Sequence, residues 1–259
     1  MFRKISLFSS VLALLFVVSA SASPLNFCGG GSDPAVNLGS YAYPGVTATA
    51  AGGANAVFSC KTKDSVIPGG NLYGLGVNGQ GNTPGEIDSL NGGESITFDF
   101  GPAGAGVEEF GVMVFYNGPE FGDPGEKGQV EVTFLAGGTA VYFFQADADG
   151  DPNNNSDGVT NTVTSNLLGS YTVVSPFTEN NAGAVQFTGN PFGGALIRSL
   201  KFTAIPVTGG TNNNSDYAIS NLTFTGGATE EIPEPGTYAM MGLGLLAVGF
   251  LKRRAAKKA

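Results

Sequence analysis

This 259-residue chain predicts an all-β ectodomain, a two-sheet antiparallel β-sandwich of jelly-roll type. Three observations carry that prediction. Gly 41 and Pro 14, with abundant Asn, Thr and Ser, leave almost no internal stretch able to sustain a helix. Short runs rich in Val, Ile, Phe, Tyr and Thr recur between turn clusters, roughly nine to eleven strands in all, with no crossover helices. The strongly apolar stretches lie at the two ends, dividing the chain into a leader at 1–22, an ectodomain at 23–229 and a tail at 230–259. An ectodomain of about 200 residues suffices for one sizeable core.

The leader begins with Arg3 and Lys4, runs apolar to Val18 and ends in Ala20-Ser21-Ala22. That is the pattern of a secretory signal peptide cleaved after Ala22, and its apolar run is too short for a lasting anchor. In the ectodomain, strands are expected at 46–50 and 54–60. Residues 95–100 give the clearest one, with Ile96, Phe98 and Phe100 on one face and Ser95, Thr97 and Asp99 on the other. After a Gly-Pro turn, 110–116 carries Val112, Met113, Val114 and Phe115, apolar on both faces as in a central strand. Residues 129–135 and 139–145 flank Gly137-Gly138 as a hairpin. Further strands are expected at 171–174, 184–188, 196–205 and 217–225. No short-period repeat points to a solenoid or propeller.

Residues 230–235 form a linker that ends in Pro233-Glu234-Pro235, ahead of an apolar stretch at 238–251 and the basic Lys252-Arg253-Arg254. As a helix that stretch spans about 21 Å against a hydrocarbon core of roughly 30 Å, a thin span unless the flanking Lys252, Arg253 and Arg254 snorkel. The positive-inside rule keeps the basic tip in the cytoplasm and places the ectodomain outside. Motif, apolar helix and basic tip, in that order at a terminus, closely resemble the PEP-CTERM sorting signal of Gram-negative bacteria. The resemblance covers about a tenth of the chain. It implies export through the Sec machinery, an inner-membrane intermediate facing the periplasm, and processing by an exosortase, a membrane-embedded cysteine transpeptidase-like enzyme. Delivery to the cell surface or extracellular matrix follows, since carriers of this signal are often linked to exopolysaccharide and biofilm.

Charge follows the same division. Between the leader and the basic tip, five cations face all 21 acids, a net charge of −16. Such a segment does not hold nucleic acid by neutralising phosphates. His 0 rules out a Ser-His-Asp triad, a Cys-His nucleophile and a His-ligated zinc site, so the chain reads as no enzyme. A carboxylate pair for glycan hydrolysis stays open among Glu86, Asp88, Glu94, Glu108, Glu109, Glu120 and Asp123, although scattered acids are usually solvated. Cys28 and Cys60, the two cysteines of an exported chain, are expected to form a disulfide.

Calcium is the one cofactor suggested. Asp147, Asp149, Asp151, Asn153, Asn155 and Asp157 alternate as oxygen donors in one loop, but Pro152 and Gly158 break the EF-hand pattern, and a hydrated loop is an equal reading. The segment Gly74-Leu75-Gly76-Val77, Gly85-Glu86-Ile87-Asp88 and Glu94, together with residues 217–224, resembles exported β-sandwiches of the same sorting class. By likeness to jelly-roll carbohydrate-binding modules, it suggests an alternative calcium set of Glu86, Asp88 and Asp216, with ordinary turn and strand-edge acids the simpler account. Sugar-stacking aromatics are represented by Tyr41, Tyr43, Tyr73, Tyr116 and Phe121 without any Trp, and such aromatics more often belong to a core. Asn154, Asn213 and Asn221 begin Asn-x-Ser/Thr sequences, weak glycosylation signals in a bacterial chain. The expectation is therefore a structural or exopolysaccharide-associated envelope protein. The alternatives are a calcium-dependent carbohydrate-binding module and, behind it, a carboxylate-based glycan hydrolase.

Overall fold

The computed structural model describes residues 22–29, 32–64, 71–79, 85–90, 93–115, 125–146, 163–175, 183–206 and 215–226. They form fifteen strands: β1 (Ser23–Asn26), β2 (Ser40–Tyr43), β3 (Val46–Ala51), β4 (Val57–Asp64), β5 (Asn71–Asn78), β6 (Ile87–Asp88), β7 (Ser95–Asp99), β8 (Ala105–Phe115), β9 (Lys127–Phe134), β10 (Thr139–Ala146), β11 (Val163–Ser165), β12 (Ser170–Ser175), β13 (Gly183–Thr188), β14 (Leu196–Ala204) and β15 (Asp216–Gly226). All strand pairs are antiparallel, and the isolated bridge between Val36 and Phe58 is parallel.

The all-β expectation holds, while the strand pairing does not show the two-sheet sandwich. One path runs β11-β10-β9-β14-β8-β15-β5-β4, with the remaining strands branching from it, so the strands make one nearly closed sheet. The join is β8. Its first residues, Ala105 and Gly106, pair with Ile197 and Leu196 of β14, while its length pairs with β15 and β13. A strand shared in this way ties together what a sandwich keeps apart. Among the described residues no helix is long and apolar enough to cross a membrane, and both the expected tail helix at 238–251 and the leader through residue 21 lie outside them.

Alternation dictates the interior. Ile96, Phe98 and Phe100 of the β7 segment are fully buried, as are Val130 and Val132 of β9 and Leu200 and Phe202 of β14. Phe110 of β8 stacks on Phe187 at 4.8 Å and meets Phe202 edge-on at 5.3 Å, while Phe27 stacks on Phe98 at 5.6 Å. Offset and T-shaped pairs such as these contribute beyond their buried area. The two-faced apolar run of β8 has its reason: Val112 faces the main core, whereas Met113 packs with Ala184, Ala218 and Leu72 in a second, smaller cluster. The β9–β10 hairpin turns through Gly137 and Gly138, at φ 95° and 86°.

Two features place the ends of the domain. β1 lies against β15 with Ser23 opposite Phe224, so the residue after the expected cleavage point sits beside the strand that leads into the tail. A disulfide then joins Cys28 to Cys60 of β4. Closing a loop of this size removes roughly 3 to 4 kcal/mol of chain entropy from the unfolded state.

Candidate functional site

Five acids drawn from Glu86 to Asp216 meet where β6 lies beside the start of β15. The local chain explains how. Gly85 takes a left-handed φ of 88°, and its N–H donates to the Val77 carbonyl at 3.0 Å, turning the segment onto β5. Val77 in turn donates to the Glu86 carbonyl at 3.0 Å, and Asp88 and Ile87 pair with Asp216 and Tyr217. The Glu94 carboxylate accepts from the Asp88 amide at 3.2 Å. Ser89 and Ser215 brace the junction: the Ser89 N–H donates to the Ser215 carbonyl at 3.0 Å, and the Ser215 N–H to the Ser89 hydroxyl at 2.9 Å.

Glu86, Asp88 and Glu94 are buried, at 2%, 0% and 1% exposure, while Glu126 and Asp216 are half-buried. Among the described residues the cluster's cation is Lys61 of β4, whose Nζ lies 2.6 Å from Glu86 Oε1. Burial pushes the Glu86 carboxyl up to about 9, the neighbouring Asp216 charge adds to the rise, and Lys61 works against it. Asp216 is also raised, first by burial, while hydrogen bonds with Glu86 and Glu126 pull it back. Two carboxyls this close in a dry site do not both ionise. The hydrogen bond between them raises Glu86 and lowers Asp216, which favours the proton on Glu86, and Lys61 lies against Glu86 Oε1.

The structure thus brings together Glu86, Asp88 and Asp216, the three acids of the alternative calcium set. Asp88 Oδ1, however, accepts from the Leu90 N–H at 2.7 Å, as in an Asx turn. Among the described residues no group of three or more His, Cys, Asp or Glu is arranged to hold a metal ion. The residues expected to hold calcium in one loop, Asp147, Asp149, Asp151, Asn153, Asn155 and Asp157, lie outside the described residues. Glu120, Asp123, Tyr116, Phe121, Asn154 and Asn213 likewise belong to segments, or in part side chains, that are not described.

Other sequence candidates are engaged in the fold. Tyr41 and Tyr43 meet edge-on at 4.8 Å, and the Tyr43 hydroxyl donates to Asp33 Oδ1 at 2.7 Å. Burial, reinforced by Asp33, pushes the Tyr43 phenol far above its ordinary range. Glu109 accepts from the Thr223 hydroxyl at 2.9 Å, and the Asn221 amide pairs with Gln186. Lys61 and Glu126 were not singled out by sequence. For Lys61 the only signal is that it is one of the five cations in an acidic ectodomain.

The tail is settled by comparison with known families. A family model for the PEP-CTERM protein-sorting motif matches residues 231–254, the span that holds Pro233, Glu234, Pro235, Lys252, Arg253 and Arg254. The chain is a PEP-CTERM domain-containing protein. Neither a characterised protein nor a solved structure matches it. The PEP-CTERM tail marks an exported protein of the exosortase-processed class, sorted to the cell envelope.

Proposed function

We propose that this PEP-CTERM protein is a structural component of the cell envelope or of its exopolysaccharide layer. In this reading an acidic β-rich head crosses the inner membrane, is held there by the tail and is then handed to an exosortase. The observation that carries it is the sorting motif at 231–254 following a disulfide-closed head. Three further features support it. The net charge of −16 over the exported part favours solubility in a hydrated matrix. The disulfide suits an oxidising compartment. The buried acids organise strand packing, with Lys61, Ser89 and Ser215 all engaged in the same junction.

The test is to tag the C-terminus and follow the protein by mass in an exosortase-positive host and in its exosortase-deleted counterpart. The expected result is loss of the tag and recovery of the head with the surface polysaccharide in the first host alone. A full tail retained on the mature protein in both hosts replaces the sorting reading with a plain tail anchor. Changing Lys252, Arg253 and Arg254 to Glu is expected to block processing by disturbing topology.

A further inference from the structure

Three residues stand in a row across neighbouring strands: Gln186 of β13 opposite Gly111 of β8, and Gly111 opposite Asn221 of β15. They project from the face of the sheet opposite Phe110, Val112 and Phe187. Over the bare glycine the two amides bond reciprocally, Gln186 Nε2 donating to Asn221 Oδ1 at 3.1 Å and Asn221 Nδ2 to Gln186 Oε1 at 2.9 Å. A side chain at 111 would occupy that space, since its Cβ would lie 2.6 Å from Asn221 Oδ1 and 2.7 Å from Gln186 Oε1.

Beside this pair opens a cleft of about 250 Å³, lined by Gln186, Asn221, Ser220, Asn71, Tyr73 and Met113 among others. Among the described residues no charged side chain lines it. The volume falls below the roughly 300–1,000 Å³ of pockets for drug-sized ligands, and so suits one ring-sized group. Each amide spends one N–H and one oxygen lone pair on its partner and keeps one of each, so donors and acceptors stand side by side. Hydroxyl groups, which both give and accept, match that arrangement. Leu72, Met113 and Ala184 supply apolar walls for a C–H face. A purely apolar ligand would bury the amides without partners, an ion would find no counter-charge among the described lining residues, and an acidic polymer would meet a head that carries five cations against 18 acids, a net charge of −13.

We propose that this cleft binds an uncharged sugar residue of a polysaccharide. It rests on the envelope reading only for where that sugar comes from. A few amide hydrogen bonds at one ring give a dissociation constant on the order of 1 mM per site.

The experiment takes the full chain in detergent and titrates it, by saturation-transfer NMR and calorimetry, with neutral oligomers of glucose, galactose and mannose and with uronic-acid oligomers. Neutral oligomers are expected to bind, with or without EDTA, and Gln186→Ala and Asn221→Ala to weaken them at least tenfold. Asn71→Ala and Tyr73→Ala, at the rim, decide the matter if the floor variants fail to fold, and are expected to weaken binding several-fold. Any of four results overturns the proposal: no neutral oligomer bound, a preference for uronic acids, loss of binding in EDTA, or binding indifferent to the folded variants. The envelope reading fails separately. A protein that fractionates with surface polysaccharide yet binds no neutral oligomer loses only the cleft, whereas one that binds oligomers but stays off the polysaccharide loses only the envelope role.

Discussion

The β9–β10 hairpin and the β5 strand with its neighbouring 85–88 segment both depend on glycine, for opposite reasons. At the hairpin, Gly137 and Gly138 take left-handed φ values, and a Cβ on either would meet nothing within 4 Å. In β5 neither Gly74 nor Gly76 is left-handed, but space is missing. A Cβ on Gly74 would lie 2.8 Å from Ala218 and Met113, and one on Gly76 would collide with the Gly85 backbone. Glycine shapes the chain in the first region and lets two of its segments touch in the second. Only the first use is written in the local sequence, because turn chemistry is local and close approach depends on a partner elsewhere.

Gly76→Ala is the sharpest way to break the comparison. Backbone cannot swing aside as a side chain does, so the β5 approach should open at a cost of about 3 kcal/mol or more, read as a lowered denaturation midpoint in urea. A loss under about 1 kcal/mol would mean that the close approach is not what glycine provides there.

The second effect concerns the carboxyls that this approach brings to Lys61. Folded, Glu86 holds its proton up to about 9, against an ordinary value of 4.5. The native state therefore binds more protons than the unfolded chain across that window. Stability is full below about 4.5 and is lost as pH rises toward 9, with a slope of at most about 1.4 kcal/mol per pH unit for one proton. Raised Asp216 acts in the same direction. Denaturant unfolding at pH 5, 7 and 9 is expected to show the decline, and Glu86→Gln to flatten it and raise stability at the alkaline end. A profile that climbs between pH 5 and 9 would show the pair to be ionised in the fold.

The smallest effect is expected at the hairpin. Gly137→Ala meets open space but a φ of 95°, and should cost only about 1 kcal/mol by strain, measured in the same urea titration.

What sequence disclosed follows the same line. The strand at 95–100 was legible because Ile96, Phe98 and Phe100 alternate onto one buried face, and the expected strand at 110–116 because its run is apolar on both faces, although β8 begins earlier, at Ala105. The expected strand at 54–60 begins instead at Val57 and continues to Asp64. β1, β2, β5, β6 and β11 were not foreseen. They are short or glycine-bearing, and β1 and β6 are held by β15 far along the chain, β6 by Asp216 and Tyr217. Likeness of segments grouped Glu86, Asp88 and Asp216 only as an alternative calcium set, whereas Lys61 and Glu126 carried no pattern of their own. Nor did Gly111, whose role appears only when Gln186 and Asn221 close over it.

The strand that leads into the tail has a mechanical consequence. β15 is clamped along one side by β8 and along the other by β6, β5 and β1 in succession. Tension arriving from a membrane or polymer attachment at the C-terminal end would run along β15, parallel to its neighbours. It would have to shear many cross-strand hydrogen bonds at once instead of opening them one at a time, so the head grips its tether through the strand least able to peel away.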